Sequence, residues 1–133
     1  MFSGSGSFGL ECLSRNSKEV YFFEKHPNAI KTLKKNITIL RDDIRYKIIE
    51  KDCFDYFNLT KNLNATFDII FIDPPFKEIK INSLIEKIIE KNYLSKDGII
   101  ILHRHKKDNI KITKKLNIFD KRTYGISKIY YGN

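Results

Sequence analysis

The sequence predicts an α/β protein built on an open, mostly parallel sheet that ends in an antiparallel hairpin. Two observations support this prediction: short apolar runs alternate with amphipathic stretches along the chain, and acidic residues follow three of the apolar runs. Open α/β sheets bind ligands at the carboxyl ends of their strands, so polar residues are expected there. A single domain over residues 1–133 is expected, since domains commonly have roughly 100–150 residues.

The apolar spacing predicts a succession of helices and strands before the hairpin. The helices are predicted at Ser7–Ser14, Pro27–Leu40, Phe54–Leu63 and Ile81–Lys91. The strands are predicted at Val20–Phe23, Tyr46–Glu50, Phe67–Ile72 and Ile99–Leu102, with a turn at Asp97-Gly98 before the last of them. Because Phe67–Ile72 is apolar almost throughout, helices are expected on both of its faces. Residues Leu116–Arg122 and Ser127–Tyr131 are predicted to pair as the hairpin around Tyr124-Gly125.

The composition favours a cytoplasmic protein with a polyanionic partner. Lys and Arg number 25 against 16 Asp and Glu, which gives a formal net charge of +9 and favours nucleic acid. The two cysteines form no Cys-x-x-Cys pair and predict no disulfide, as expected in a reducing compartment. No apolar run approaches the roughly 20 residues of a membrane span, so no membrane partner is expected.

A glycine-rich loop stands at residues 4–9, Gly-Ser-Gly-Ser-Phe-Gly, and matches the nucleotide-binding pattern G-x-G-x-x-G. Glycines allow positive φ and let a ligand approach the backbone, although an ordinary glycine-rich turn is the alternative. This pattern should follow a strand, and only Met1, Phe2 and Ser3 precede it. We therefore expect a chain truncated at its N-terminus, with the first strand missing, unless another segment takes that place.

Glu24 and Asp52 follow the first two predicted strands and are candidate nucleoside ligands. Glu24 lies 20 residues after Gly4, where an acid that binds ribose hydroxyls belongs, although a solvated loop position is the alternative. Asp52 could accept a hydrogen bond from an adenine amino group, with Phe54 packing nearby. Its alternative role is to cap the next helix, and the two roles are compatible.

Asp73-Pro74-Pro75-Phe76 follows the third predicted strand and is the most informative sequence in the chain. Its two prolines exclude a helix and remove two backbone donors, which leaves the carbonyls of Asp73 and Pro74 as rigid acceptors. A carboxylate beside such a carbonyl can hold both hydrogens of a planar exocyclic amine, and Phe76 can stack on the ring that carries the amine. The alternative is a Pro-Pro turn with a partly buried Phe76.

Taken together, these residues resemble the RsmD-type 16S ribosomal RNA guanine-N2 methyltransferases. The segment Phe2–Arg15, with its Gly-Leu-Glu-Cys-Leu-Ser-Arg helix, is similar to the first motif of that family. The later motifs and the C-terminal hairpin of the family are similar, in order and spacing, to Phe23-Glu24-Lys25 with Ala29, Asp52-Cys53-Phe54, Phe71–Phe76 and Lys121–Tyr131. The resemblance extends over essentially the whole chain and implies a Rossmann-like class I methyltransferase fold.

The resemblance also implies an activity, methyl transfer from S-adenosylmethionine to the N2 amine of a guanine in 16S rRNA or the small ribosomal subunit. The implied cofactor-binding residues are Gly4, Ser5, Gly6, Glu24, Lys25, Asp52 and Cys53. The implied catalytic residues are Asp73, Pro74 and Phe76, and the implied substrate-binding residues are Pro75, Phe76 and Lys77. A monomer that needs no metal is expected.

The chain departs from the family pattern in two places. The family carries a basic N-terminal segment and a first strand ahead of the equivalent of Phe2, in keeping with the expected truncation. It also tends to carry an acidic residue where this chain has His103-Arg104-His105. Two histidines could belong to a metal site, but a surface turn is the favoured interpretation because no third ligand stands nearby.

Basic residues are expected to contact RNA phosphates if they lie near the carboxyl edge of the sheet; the candidates are Arg15, Lys77, Lys80, Arg104 and Lys106. On the sequence alone, two other functions stay open. One is a DNA methyltransferase that acts on the amino group of adenine or cytosine, and the other is a non-catalytic remnant that binds nucleic acid.

Overall fold

The computed structural model describes residues 1–40, 44–59, 63 and 65–133. The chain divides into two compact units, Met1–Tyr56 and Phe57–Asn133. The helices are α1 (Ser7–Ser14), α2 (Pro27–Ile37), α3 (Cys53–Leu59) and α4 (Ile81–Glu90). The strands are β1 (Val20–Phe23), β2 (Tyr46–Ile49), β3 (Phe67–Ile72), β4 (Leu94–His105), β5 (Ile118–Tyr124) and β6 (Ser127–Gly132). The expectation of one methyltransferase domain over the whole chain stays a prediction.

The unit Met1–Tyr56 is built on the parallel pair of β1 and β2, in which Val20 lies opposite Tyr46. Apolar residues spaced three and four apart place one face of α2 in the interior. The buried cluster of this unit comprises Leu13, Phe22, Leu33 and Ile37. Residues 1–6 form no strand, and the Ser3 N–H donates instead to the carbonyl of Phe23 at the end of β1.

The unit Phe57–Asn133 contains a four-stranded sheet in the order β3-β4-β6-β5. β3 and β4 run parallel and are joined through α4, whereas β6 pairs with both β4 and β5 in the antiparallel direction. The buried face of α4 consists of Ile81, Leu84, Ile85 and Ile88. The predicted α/β class, with an antiparallel hairpin at the end, is therefore confirmed.

The strand β4 begins earlier than predicted, and the turn predicted at Asp97-Gly98 is wrong. Phe67 pairs with Leu94 and Ile69 with Ile99, so the register shifts within a continuing strand. Gly98 allows this bulge, because a Cβ there would lie 2.9 Å from the carbonyl oxygen of Phe67. A close approach of two backbones, rather than a reversal of the chain, explains this glycine.

Three helices also differ from the prediction at an end, and the smallest difference is in α4, which ends at Glu90 rather than Lys91. α2 ends at Ile37 rather than Leu40, because the N–H of Leu40 bonds the carbonyl of Ile37, only three residues back. α3 begins at Cys53, and its predicted extension to Leu63 falls partly on residues 60–62, outside the described residues. Across the part of the chain that the structure describes, no helix combines the length and apolar character needed to cross a membrane.

The two faces of β3 differ in exposure within the described residues, and the expectation of helices on both faces stays a prediction. Ile70 and Ile72 are buried, whereas Ile69 is 49% exposed. Successive side chains of a strand point to opposite faces, so Ile70 and Ile72 share the buried face, and Phe71 on the face of Ile69 is half-buried. An apolar run indicated a strand correctly but did not determine how many of its faces are buried.

Candidate active site

The glycine turn, Gly4–Gly6, precedes α1 and contains one packed and one open glycine. Gly6 caps α1 with φ of 87°, and a Cβ there would lie 2.3 Å from Leu33 Cδ1. Gly4 has φ of 54°, and a Cβ there would meet nothing within 4 Å. Both conformations favour glycine. The open space beside Gly4 allows a ligand to approach the backbone closely.

Hydrogen bonds fix the glycine turn to β1 and α2. The N–H and hydroxyl of Ser3 both donate to the carbonyl of Phe23, at 3.0 and 3.1 Å. Asn36 Nδ2 donates to the carbonyl of Ser5 at 3.0 Å, and the hydroxyl oxygens of Ser5 and Ser7 lie 3.0 Å apart. A turn ordered in this way loses little conformational entropy when it binds a ligand.

Glu24 follows β1 and is a buried anion, with 7% of its surface exposed. Its Oε2 accepts the Gly4 N–H at 2.8 Å, and its Oε1 accepts the N–H groups of Lys25 and His26, each at 2.9 Å. Burial acts to raise the pKa of Glu24, but the three backbone N–H bonds outweigh it and hold the pKa below its usual range. The solvated loop position considered from the sequence is therefore wrong, and ribose binding stays a prediction.

Asp52 follows β2 and caps α3, as its alternative role predicted. Its Oδ1 accepts the N–H of Phe54 at 2.8 Å, and its carbonyl accepts the N–H of Tyr56 at 2.9 Å. Its Oδ2 accepts a hydrogen bond from Lys25 Nζ at 2.7 Å. Because β1 and β2 are parallel, their carboxyl ends share one edge, and this bond joins residues that follow the two strands. The contact of Asp52 with adenine stays a prediction.

Cys53, the first residue of α3, is buried. Burial raises the pKa of its thiol to about 12, so the side chain is an uncharged packing group at neutral pH. The sequence alone does not show this burial, because the residue after a helix cap is found on the buried face in some helices and on the exposed face in others. The assignment of Cys53 to the cofactor site stays a prediction.

The Asp73–Phe76 segment directly follows β3, at the carboxyl end of that strand. Pro74 is buried, the ring of Phe76 is 45% exposed, and the carbonyl of Pro75 accepts the N–H of Glu78 at 2.8 Å in a tight turn. Within the described residues, no group donates a hydrogen bond to the carbonyl of Asp73 or Pro74. The two acceptors predicted from the sequence are thus unengaged by the described chain.

His103, at the carboxyl end of β4, contacts two residues of the Asp73–Phe76 segment. Its Nδ1 lies 2.7 Å from Asp73 Oδ1. The ring of Phe76 meets the rings of His103 and His105 edge to face, with centroids 5.7 and 5.1 Å apart. Because β3 and β4 are parallel, residues that follow one strand lie beside the end of the other.

Arg104 is buried, with 2% of its surface exposed, and its guanidinium binds the backbone of the Asp73–Phe76 segment. Nη2 donates to the carbonyl of Phe76 at 2.8 Å and Nη1 to that of Pro75 at 3.4 Å, while Nε donates to Asp108 Oδ2. Burial acts to raise the pKa of Asp108, but bonds from the N–H of Ile110 and from Arg104 hold it below its usual range. The expectation that Arg104 grips RNA is wrong, because its charge faces the interior.

The sequence contains a signal for this burial, which the prediction missed. Ile100, Leu102 and Arg104 occupy alternate positions of β4, and all three are buried. The predicted strand stopped at Leu102 and left His103-Arg104-His105 as a surface turn, which is wrong. Asp108, four residues after Arg104, is a second signal, because a buried guanidinium needs an acidic partner.

The other basic residues proposed to contact RNA are exposed, namely Arg15, Lys77, Lys80 and Lys106. Arg15 also forms an ion pair, with its Nε 2.6 Å from Glu11 Oε1. Among the residues described, no group of three or more acidic, histidine or cysteine side chains is arranged to hold a metal ion.

The predicted site residues therefore form two groups, one in each unit. The cofactor-binding candidates lie together in Met1–Tyr56, where Gly4 contacts Glu24 and Lys25 contacts Asp52. The catalytic and substrate-binding candidates lie together in Phe57–Asn133, around the Asp73–Phe76 segment. Chemically, the first group offers an ordered backbone turn beside a buried anion. The second offers a carboxylate, two carbonyls that accept no hydrogen bond from the described residues, and an exposed aromatic ring.

Comparison with known proteins gives several matches over most of the chain. A family model described as "Conserved hypothetical protein 95" matches residues 1–133. Ribosomal RNA small subunit methyltransferase D of Haemophilus influenzae is 30% identical over 126 residues, which are 94% of this chain and 65% of that protein. Putative rRNA methyltransferase YlbH of Bacillus subtilis is 30% identical over 130 residues, which are 97% of this chain and 71% of that protein.

A solved structure supports the same fold. The crystal structure of a "putative methylase" from Haemophilus influenzae superposes with a TM-score of 0.83 at 30% identity, covering 99% of this chain and 83% of that one. The predicted Rossmann-like class I methyltransferase fold is confirmed. The chain spans about two thirds of the length of the curated relatives, 65% of one and 71% of the other.

Proposed function

The chain belongs to the Conserved hypothetical protein 95 family, and from this premise we propose that it transfers a methyl group from S-adenosylmethionine to a guanine N2 in 16S rRNA. The names of the two curated relatives, both rRNA methyltransferases, support this proposal. The observation on which it rests is the Asp73–Phe76 segment, with an anchored backbone, two carbonyls to which no described group donates, and a half-exposed aromatic ring.

The unit Met1–Tyr56 fits a nucleoside cofactor. We assign the methionine and ribose portions to the Gly4–Gly6 backbone, because the space beside Gly4 is open. We assign the ribose hydroxyls to Glu24, with Lys25 beside it, since Oε2 accepts only one of the three backbone bonds. The adenine is assigned to Asp52 and Cys53. Bound S-adenosylmethionine would supply an electrophilic methyl group.

The acceptor amine is assigned to the Asp73–Phe76 segment. Asp73 and the carbonyl of Pro74 would each accept one hydrogen of the amine, and the exposed ring of Phe76 would stack on the purine. Pro75 and Lys77 would contact the same nucleotide. The guanine has to leave its RNA stack to reach these groups, as base-modifying enzymes require.

Asp73 would also lower the barrier to transfer. Guanine N2 is a poor nucleophile, because its lone pair is delocalised into the ring. Methyl transfer places positive charge on that nitrogen, and a carboxylate at this position stabilises the charge as it develops, by about 3 kcal/mol for one well-placed group. The nitrogen then loses its proton after transfer, so Asp73 acts mainly through electrostatics and position.

The partner proposed for the chain is 16S rRNA or the small ribosomal subunit, in the cytoplasm, bound by a monomer without a metal. The exposed residues Arg15, Lys77, Lys80 and Lys106 offer phosphate contacts. Binding should weaken with salt, with a slope of about −0.9 per duplex phosphate contact.

Substitution of Asp73 tests the assignment. The variant Asp73→Asn should keep part of the activity, because its amide oxygen still accepts a hydrogen bond, and Asp73→Ala should keep much less. Activity is measured as methyl groups transferred to small subunits from cells that lack this gene. Asp97→Ala, which changes an exposed acid of the same unit, should behave as wild type. Equal and complete loss in both Asp73 variants would contradict the role.

The modified nucleoside distinguishes the proposal from its alternatives. Mass spectrometry of digested 16S rRNA should reveal N2-methylguanosine. Methylated adenine or cytosine in DNA would instead favour a DNA methyltransferase. A folded chain that shows no binding of S-adenosylmethionine by calorimetry would indicate a non-catalytic remnant.

A further inference from the structure

We propose that His103 is a positioning residue that holds the Asp73 carboxylate in place for methyl transfer, an inference that rests on the function proposed above. The proposed mechanism gives His103 no role. Its contact with Asp73 is the starting observation, with His103 Nδ1 2.7 Å from Asp73 Oδ1.

The direction of this hydrogen bond follows from the chemistry of its partners. An ionised carboxylate only accepts hydrogen bonds, so the proton must reside on His103 Nδ1. Oδ1 of Asp73 then accepts the imidazole N–H, whereas no described group bonds Oδ2, which is free to accept a hydrogen of the substrate amine. The bond therefore restrains the orientation of the Asp73 carboxylate and favours Oδ2 as the oxygen that faces the acceptor.

The ring of His103 has one polar anchor in the described structure. Its Nε2 is buried and has no hydrogen-bond partner among the described residues. The edge contact with Phe76 and the paired backbone of β4 hold the ring, and its one hydrogen bond to a described residue goes to Asp73. A buried ring nitrogen without a partner lowers the free energy of unfolding. The bond to Asp73 is kept in the structure despite this loss of stability.

The backbone beneath His103 is rigid, as positioning requires. His103 pairs with Ile129 of β6, inside the ladder that joins β4 to β6. Asp73, by contrast, lies just beyond β3 and is 42% exposed on its side chain, against 20% for His103. A donor fixed within a sheet thus restrains a carboxylate on a loop. Supporting residues of this kind keep a catalytic group close to the position and orientation that methyl transfer requires.

Two variants of nearly the same shape separate the hydrogen bond from the packing of the ring. His103→Asn keeps an N–H donor close to the position of Nδ1, and His103→Leu removes it. We expect kcat to fall by at least about tenfold in His103→Leu and to return to within about threefold of wild type in His103→Asn. The KM for S-adenosylmethionine should stay unchanged in both, since the cofactor is assigned to other residues.

A double-mutant cycle tests whether His103 acts through Asp73. In the Asp73→Ala background, His103→Leu should change kcat by less than about twofold, because the group it positions is already absent. If the fold-loss of kcat in the double variant equals the product of the fold-losses in the two single variants, the proposal is overturned. Equal loss of kcat in His103→Asn and His103→Leu would overturn it as well.

Long-range ¹H–¹⁵N spectra of the full chain, labelled in its histidines, detect the hydrogen bond between His103 and Asp73 without an activity measurement. His103 should show a protonated Nδ1 whose downfield proton signal disappears in Asp73→Ala, with His103→Asn used for assignment. If this signal is present and His103→Leu keeps full kcat, the inference fails while the proposed function stands. If wild type transfers no methyl group to RNA, the proposed function fails and the catalytic role of His103 fails with it.

Discussion

The two units stabilise their loops with buried charges of opposite sign. In Met1–Tyr56, the Glu24 carboxylate accepts hydrogen bonds from three backbone N–H groups. In Phe57–Asn133, the Arg104 guanidinium donates hydrogen bonds to two backbone carbonyls. Both charges stand near the carboxyl end of a parallel strand, where the backbone leaves the sheet and its polar groups lose their ladder partners.

The difference follows from the residues that form each loop. The glycine turn and the start of α2 present N–H groups, which need an acceptor, and Glu24 supplies it. Pro74 and Pro75 have no N–H, so carbonyl acceptors outnumber N–H donors in the Asp73–Phe76 segment. A donor from elsewhere in the chain is therefore needed to bond these carbonyls. Loop composition thus determines the sign of the buried charge that can stabilise it. Substitutions of either charge, and of the groups each loop displays, test this comparison.

The largest effect on stability is expected from Arg104→Met. This variant removes the guanidinium from Asp108 and from the carbonyl of Phe76, so that Asp108 keeps only the bond from the N–H of Ile110 among the described donors. Breaking a buried ion pair by removing one partner costs about 3–5 kcal/mol. The free energy of unfolding should fall by that amount in urea titrations followed by circular dichroism.

The control for this prediction is Arg122→Met. Arg122 also pairs with an acid, at 2.8 Å from Asp120, but both side chains are exposed. Its substitution should leave the urea midpoint unchanged, because exposed ion pairs contribute little. Equal midpoints for the two variants would show that Arg104 does not stabilise its loop through burial.

The next largest effect is expected from Gly6→Ala, in the other unit. A Cβ at Gly6 would collide with Leu33 and would sit on a backbone with positive φ, so we expect a loss of about 2–4 kcal/mol. Gly4→Ala should cost only about 1–2 kcal/mol of stability. It should nevertheless weaken binding of S-adenosylmethionine in calorimetry, because its Cβ would enter the open space.

Gly125→Ala is the matched control for Gly4→Ala. Gly125 has φ of 55°, and a Cβ there would also meet nothing within 4 Å. It should therefore lose a similar amount of stability and keep full affinity for the cofactor. If both variants bind the cofactor as wild type does, the space beside Gly4 is not part of its site.

A smaller and pH-dependent effect is expected from Glu24→Gln. The amide places an N–H against a backbone N–H, so about 1–3 kcal/mol of stability should be lost at pH 7. Because the pKa of Glu24 is lowered from 4.5 in the folded protein, its contribution is present above about pH 4.5 and disappears as the pH falls through the lowered pKa.

Urea titrations of wild type and Glu24→Gln between pH 7 and pH 2 measure this difference. The stabilities of the two proteins should converge as the pH falls. Glu11→Gln, which changes an exposed acid, should show the same pH dependence as wild type. A difference between wild type and Glu24→Gln that stays constant down to pH 2 would contradict an ionised Glu24.

The smallest effect on stability is expected from Phe76→Ala, because the side chain of Phe76 projects from its loop and contributes little to the packing of that loop. The ring is half exposed, so the loss should stay below about 1 kcal/mol. Affinity for RNA should fall about tenfold, since stacking of a base on an aromatic ring contributes roughly 1–3 kcal/mol. Filter binding with 16S rRNA measures this, and the exposed Phe119, changed to Ala, should leave affinity unchanged.

Much of the fold could be predicted from local patterns. The bounds of β1 and β3 agree residue for residue with the short apolar runs that predicted them, because the strands of a covered sheet need apolar side chains. The capping role of Asp52 was also accessible, since a cap bonds N–H groups two and four residues away. Local hydrogen bonds and local periodicity are properties that a short window of sequence contains.

The contacts around the candidate site were harder to predict from the sequence. Arg104 was expected to face RNA and instead binds the carbonyl of Phe76, which precedes it by 28 residues. The pairing of His103 with Asp73 spans 30 residues. Such partners meet only because β3 and β4 are adjacent and parallel in a fixed register, and no pattern within either segment specifies that register.

The sequence by itself determined the class of the fold, the order of its elements and the position of the acids that follow β1, β2 and β3, because these depend on apolar period and on turn chemistry. Only the tertiary structure decided which charges are buried and what they hold. Burial of Glu24 and Arg104 depends on how backbone groups are left unpaired where strands end, and that is a property of neighbouring strands in space rather than of neighbouring residues in the chain.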